Sequence, residues 1–169
     1  GGVAAACEGR QGRGHGPGGG VSSPLTATDL VARLGVSRET GDRLAAYVAL
    51  LATWQKRINL VGPSTLADPW RRHILDSAQL MPHIAAGSSV VDLGSGAGFP
   101  GLVLAILGNF DVHLIESDQR KAVFLREAAR VTGAAVTVHA RRLETVTDLT
   151  ADVITARALA PLDKLLAWA

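Results

Sequence analysis

The chain has 169 residues, 47% hydrophobic and 19% charged, with 17 Lys and Arg against 15 Asp and Glu. That length suits one domain with a core that needs no covalent staples, the apolar share excludes a wholly disordered chain, and a formal charge of +2 does not by itself signal nucleic-acid binding. The single cysteine, Cys7, excludes an internal disulfide framework and a cysteine-rich zinc site.

Residues 1–20 hold nine glycines and almost no large apolar side chains, so 1–25 is expected to be a disordered Gly-rich tail. Ala4-Ala5-Ala6-Cys7 is only faintly like a lipoprotein cleavage box, because no apolar stretch precedes it. From 26 to 86 the pattern is helical. Thr28-Asp29 is placed to cap a helix over Leu30, Val31 and Leu34. A second helix is expected from about Arg38 to Arg57, where Leu44, Tyr47, Val48, Leu51 and Trp54 recur at three- and four-residue steps. Gly62-Pro63 breaks it. A third helix is expected from about Pro69 to Met81, with Asp68 as cap.

After Gly87 the period changes. Ser89 to Leu93, Val112 to Ile115, Val136 to Val138 and Val153 to Thr155 read as buried strands. Helices are expected over Pro100 to Leu107, over Asp118 to Thr132 with Gly133 as its stop, and from about Pro161. This alternation predicts an α/β, doubly wound, mostly parallel sheet. The uncharged run Leu93 to Phe110 is 18 residues long, but its five glycines and Pro100 fit strand-turn-helix better than a membrane span. A soluble, cytoplasmic protein without a membrane partner is expected. The chain begins at Gly1, has Met81 as its only methionine and stops at Trp168-Ala169 inside an apolar run. Both ends read as those of a piece cut from a longer protein, and the fourth strand is expected to be an open edge.

Asp92-Leu93-Gly94-Ser95-Gly96-Ala97-Gly98-Phe99-Pro100-Gly101 carries the strongest signal. A glycine-rich turn between strand and helix lets a ligand approach bare backbone at the carboxyl ends of the strands. Gly94, Gly96 and Gly98 resemble the first motif of S-adenosylmethionine (SAM) methyltransferases, while Gly96, Gly98 and Gly101 also satisfy the dinucleotide fingerprint. Glu116 follows Gly96 by 20 residues and is placed to accept ribose hydroxyls in either class. Asp92, expected near the cofactor, would repel a pyrophosphate but not the cationic sulfonium of SAM, and so tilts the reading toward methyl transfer.

Further segments accompany this loop: Trp54-Gln55-Lys56-Arg57-Ile58-Asn59-Leu60, Arg72-His73-Ile74-Leu75-Asp76-Ser77, Ile115-Glu116-Ser117 with Lys121 and Phe124-Leu125-Arg126, and Thr155-Ala156-Arg157-Ala158. Together they resemble the RsmG (GidB) family of small-subunit ribosomal RNA methyltransferases, over about residues 28–169. The resemblance implies a Rossmann-like class I SAM methyltransferase, C-terminally truncated, with 26–86 as a helical section and 87–169 as a partial SAM-binding domain. It implies methylation of a guanine N7 in 16S rRNA, with the RNA or the small ribosomal subunit as partner and a monomeric enzyme. Gly94 and Phe99 would contact SAM, Gly96 and Gly98 would shape the loop, and Arg142 and Leu143 would lie against the adenine. Arg157 would reach the cofactor and substrate region, and Arg72, His73 and Asp76 would lie near the incoming RNA.

The chemistry is compatible with this. Guanine N7 carries a lone pair and no proton, so methyl transfer needs positioning rather than a general base. Cys7 lies in the tail, away from any role as a pyrimidine-methylating nucleophile. Arg157 is placed to donate to a guanine edge or phosphate; the competing role is a salt bridge with Asp152 or Asp163. Lys56/Arg57, Arg71/Arg72/His73, Arg120/Lys121, Arg126/Arg130 and Arg141/Arg142 form basic groups, several expected around the cofactor mouth as RNA contacts. The alternatives are an NAD-dependent oxidoreductase and a non-catalytic RNA-binding fragment.

Overall fold

The computed structural model describes residues 2–3 and 23–157. Helix α1 (Ala27–Leu34) is capped by Thr26, two residues before the expected Thr28, because Thr26 and Asp29 close a reciprocal capping box: the Thr26 hydroxyl accepts from the Asp29 N–H and the Asp29 carboxylate accepts from the Thr26 N–H. Helix α2 (Arg38–Gln55) is capped by the Ser37 hydroxyl, which accepts from the Thr40 N–H at 3.1 Å. At its far end the Gln55 side chain folds the exit loop: its oxygen accepts from the N–H groups of Leu60 and Val61, and its nitrogen donates to the Val61 carbonyl.

The third expected helix differs in type. Trp70–Leu75 forms a π-helical stretch that runs into α3 (Asp76–Ala78), and Met81–His83 is a separate 3-10 turn. Apolar spacing over so few residues does not distinguish a π turn from an α turn. Asp68 does serve at the head of this segment, accepting from the N–H groups of Arg71 and Leu25.

The four strands read from the sequence are β2 (Ser89–Leu93), β3 (Asp111–Ile115), β4 (Val136–His139) and β5 (Val153–Ala156). Helices α4 (Gly101–Leu107) and α5 (Gln119–Thr132) make the first two crossovers, α5 stopping at a left-handed Gly133. The β4–β5 connection contains a 3-10 turn, Leu143–Thr145, where a further helix would complete the alternation. All pairings are parallel, in the order β1-β5-β2-β3-β4. Here β1 is Gly2–Val3, within the segment expected to be a tail; it pairs with Val153 and Ile154, on the side of β5 expected to be an open edge. The rest of that segment and the helix expected from Pro161 lie outside the described residues.

One core joins the helical section to the sheet. Leu30, Leu44, Tyr47 and Leu51 pack with Val90, Leu102, Val112, Leu114, Phe124 and Leu125 in a single buried cluster. Full burial of each large side chain contributes roughly 1.5–3 kcal/mol. Arg43 of α2 donates to the carbonyls of Thr132, Gly133 and Ile106, so one guanidinium serves the last turns of both α4 and α5. The other sheet face, with Val91, Leu93 and Ile115, is covered by Leu143, Val146 and Leu149 of the β4–β5 connection. Among the described residues no helix is long and apolar enough to cross a membrane.

Gly101 shows how tightly the loop is held. A Cβ there would lie 2.5 Å from Leu114 Cδ2 and 2.8 Å from Asp92 Cβ, whereas a Cβ on Gly133 would meet open space. Gly101→Ala is expected to cost ~3 kcal/mol through overpacking, against ~1 kcal/mol for Gly133→Ala from its left-handed backbone. Urea unfolding of the two variants checks this order; equal losses would contradict it.

Candidate functional site

The parallel register sets the site. Leu93 pairs with Ile115 and Ala156, so the chain leaves β2 at the carboxyl edge of the sheet, where β3 and β5 also end. Gly94, Gly96 and Gly98 then take φ values of 63, 56 and 92°, the left-handed region open to glycine. At Gly98 a Cβ would also lie 2.8 Å from the Tyr47 hydroxyl.

The backbone donors of this loop are largely taken by the protein itself. Ser95 N–H donates to the Ile115 carbonyl, Gly98 N–H to the Ser95 carbonyl, and Gly96 N–H to Glu116 Oε2 at 2.8 Å. Gly101 N–H, at the head of α4, donates to Asp92 Oδ2 at 3.3 Å. The other Asp92 oxygen accepts from the Thr155 hydroxyl at 2.9 Å. Tyr47 donates its hydroxyl to the Ala97 carbonyl, fastening α2 to the loop from below.

Two expected roles change here. Asp92 does not face a cofactor: it is fully buried beneath the loop, because its strand position points to the core face that α4 covers. Burial pushes its carboxyl up to about 6, against the opposing pull of the Thr155 and Gly101 bonds. Glu116 is 7% exposed and braces the loop, its second oxygen accepting from the Asp118 N–H at 2.8 Å. Each carboxylate oxygen retains a further lone pair.

Two cavities meet at Gly94. The first, of about 450 Å³, is lined by Ile115, Ser117, Asp118, Gln119 and the Arg141–Glu144 segment, which brings Arg142 and Leu143 to the edge of the glycine loop. Arg141 is tied to Asp148 at 2.6 Å. The second, of about 590 Å³, is lined by Gly96, Phe99, Arg71, Arg72, His73, Asp76 and Arg157, together with the Leu60–Gly62 loop that Gln55 shapes. Lys121 and Arg126 line neither cavity. Helix α5 buries Ala122, Phe124, Leu125 and Ala128, and its rotation turns Arg126 outward to solvent.

Phe99 organises the second cavity. His73 stacks on it with centroids 4.7 Å apart, and the Arg157 guanidinium carbon lies 4.9 Å from its centroid. Arg157 donates to His73 Nδ1 at 3.1 Å and stands 3.6 Å from Asp76. Its acidic neighbour is therefore Asp76; Asp152 instead accepts from Ser89, and Asp163 lies outside the described residues. With Nδ1 accepting, His73 carries its proton on Nε2 and donates it to the Thr65 hydroxyl at 2.8 Å. Burial, and then the charges of Arg157 and Arg72, push His73 down to about 4, so the ring is neutral at pH 7. Tyr47, Gln55, Thr65 and Thr155 were not given these roles from the sequence. Tyr47 was read only as part of an apolar helix face, Gln55 and Thr155 sat in recognised segments, and Thr65 had no signal.

Comparison with known proteins gives the family and the fold. A family model described as rRNA small subunit methyltransferase G (GidB) matches residues 41–169. A protein of Paramagnetospirillum magneticum named ribosomal RNA small subunit methyltransferase G is 63% identical over 142 residues, 83% of this chain and 69% of that relative. One of the same name from Rhodospirillum centenum is 65% identical over 141 residues, 83% of this chain and 65% of its own length. The chain thus spans about two thirds of these curated relatives. A structure of an MtNAS variant in complex with S-adenosylmethionine superimposes with a TM-score of 0.51 at 17% identity, covering 80% of this chain and 59% of that one. At that identity the likeness speaks to the fold alone, and it supports the Rossmann-like class I architecture.

The two shifted groups act on stability with opposite signs. Below pH 6.5 the unfolded chain takes up a proton that native His73 refuses, so stability falls as pH drops toward 4. Asp92 is raised, so its native form takes a proton near pH 6 that the unfolded chain takes only near 3.8; this stabilises as pH falls through the same window. Asp92→Asn removes the second contribution. It is expected to lose more stability between pH 7 and 4.5 than the parent, measured by urea unfolding at both pH values; a parallel or shallower loss would contradict the assignment.

Proposed function

The chain belongs to the rRNA small subunit methyltransferase G family, and from that membership we propose that it is a SAM-dependent methyltransferase acting on a guanine N7 of 16S rRNA. Because the chain spans about two thirds of its curated relatives, the activity proposed is that of the whole protein. We place it in the cytoplasm, acting as a monomer on the RNA or the small subunit.

The observation that carries the cofactor reading is the use of the loop's donors. A dinucleotide fold offers its pyrophosphate the N–H groups of a glycine loop and of a helix N-terminus. Here Asp92 holds the Gly101 N–H, Glu116 holds that of Gly96, and backbone carbonyls hold those of Ser95 and Gly98. A phosphate would meet a buried carboxylate where the dinucleotide fold offers donors. SAM has no phosphate, and the left-handed glycines give it bare backbone at the junction of two cavities. The residues therefore fit SAM and disfavour a nicotinamide dinucleotide.

When bound, SAM supplies a methyl carbon activated by its sulfonium. Ile115 and Leu143 would wall the adenosine, with Ser117, Asp118 and Arg142 as polar partners, while Glu116, which lines neither cavity, would act by holding the loop. The second cavity carries Arg71, Arg72 and Arg157 against Asp76, a balance that suits a polyanion. Arg157, its guanidinium carbon 4.9 Å from the Phe99 ring centroid, is placed to donate to a guanine edge or phosphate. No base is required at N7, in keeping with a His73 whose two ring nitrogens are already bonded to Arg157 and Thr65.

Calorimetry with SAM, titration with NADH and methyl transfer to 16S rRNA or small subunits test this. SAM binding without an NADH response is expected. Gly94→Asp is expected to abolish SAM binding and transfer. Arg157→Ala is expected to keep SAM binding and lower kcat/KM for RNA at least tenfold, about 1.4 kcal/mol of transition-state stabilisation. Unchanged transfer in both variants would overturn the site, and salt-dependent RNA binding without SAM binding would favour a non-catalytic module.

A further inference from the structure

A third cavity, of about 320 Å³, lies between the end of α2 and the first turns of α5, lined by Thr53, Trp54, Arg57, Ile58, Arg120 and Val123. Lys56/Arg57 and Arg120/Lys121 are two of the five basic groups read from the sequence, and the fold brings Arg57 and Arg120 together here. The floor is apolar. Trp54 is half-buried, its indole set edge-on against Phe124 at 5.6 Å, and Val123 is 50% exposed, an apolar side chain left open to solvent beside two guanidinium groups. The Arg57 guanidinium has no protein partner among the described residues. Arg120 reaches Asp118 through one nitrogen at 3.4 Å while its side chain remains 73% exposed.

The groove also continues both halves of the site along the chain. Ile58 lines it, and Leu60, two residues on, lines the second cavity; Gln119 lines the first cavity, and Arg120, the next residue, lines the groove. An aromatic and aliphatic floor between two exposed cations, one of them without a protein partner among the described residues, is the chemistry that takes an unstacked nucleobase with its phosphates. We propose that the Trp54–Val123 groove is a second RNA-contact site, holding one unpaired nucleotide of the substrate rRNA beside the methyl-transfer site through base contact on the floor and phosphate contact at Arg57 and Arg120. This rests on the methyltransferase reading above. The site would anchor the substrate rather than take part in the reaction: Arg57 and Arg120 are positioning residues.

The test uses the full chain with 16S rRNA and with small subunits, measuring RNA affinity across a salt series and SAM binding in parallel. Arg57→Glu with Arg120→Glu, and separately Val123→Asp, change exposed side chains, so SAM binding within twofold of the parent reports an intact fold. The charge-reversal pair is expected to weaken RNA binding ten- to a hundredfold and to flatten its salt dependence. Val123→Asp is expected to weaken binding five- to fiftyfold, and methyl transfer at saturating RNA should keep its kcat while KM rises. RNA affinity within twofold of the parent in both variants, with SAM binding retained, overturns the groove alone. A concentration-dependent dimer of the parent that Val123→Asp abolishes, with RNA affinity unchanged, overturns it in favour of a self-association surface. An unaltered chain that binds neither SAM nor rRNA overturns the methyltransferase reading and the groove with it.

Discussion

The structure turns on a buried carboxylate. Asp92 stands one residue before the end of the central strand, and its two oxygens serve two different neighbours, the Thr155 hydroxyl on β5 and the Gly101 N–H at the head of α4. A charged group in that position costs desolvation, visible in its raised carboxyl, and the cost is met only because both bonds are formed at once. The same two bonds join strand order to loop shape. They fix where β5 lies beside β2 and where α4 begins, and hence the length of chain that must turn between them. Ten residues from Asp92 to Gly101 are left to make the turn, and glycines in left-handed backbone make it possible.

Everything around the loop reinforces that closure from outside. Glu116 holds it from the β3 side, and Tyr47 holds it from the helical section. The loop is therefore a preformed wall whose N–H groups at Ser95, Gly96, Gly98 and Gly101 are already bonded. The side chains that flank it set the charge of the site. This divides the site by charge: one cavity holds acids and bases in near balance, and the other presents three guanidinium groups to one carboxylate. On the proposed function a cationic cofactor and an anionic polymer would meet at Gly94, each on its own side of the loop.

Much of this was legible in the residues, and what was not has physical reasons. Ser89 to Leu93 stood out because a β-branched pair before a glycine turn has few other uses, and Asp118 and Gly133 marked α5 by the ordinary chemistry of helix ends. Of the resemblance segments, Leu60, Arg72, His73, Asp76, Ile115, Ser117 and Arg157 line the two cavities, Lys121, Phe124, Leu125 and Arg126 do not, and Gln55 reaches the site through the loop it shapes. Asp92 was read for its charge and not for its direction. Strand alternation places it with Val90 on the core face, and that parity argument was available from the sequence. Lys121 and Arg126 were chosen by type, whereas a helix turning 100° per residue sends only some of its cations toward any one mouth. The stack of His73, Phe99 and Arg157 was beyond any pattern, because it joins residues from three parts of the chain through ring contact and a tautomer choice.

Arg43 carries a consequence for how the cavity keeps its width. The heads of α4 and α5 sit under the glycine loop and along the first cavity, and the tails of both end on the same guanidinium, contributed by α2. Two rods pinned at one end by a common bolt do not tilt separately. A tilt of α5 large enough to shift Asp118 or Gln119 would drag the Thr132 and Gly133 carbonyls off Arg43, and the hold on Ile106 and α4 with them. The gap between loop and helix is thus governed from the opposite side of the molecule. The helical section that precedes the sheet acts as the frame in which the cofactor site is hung.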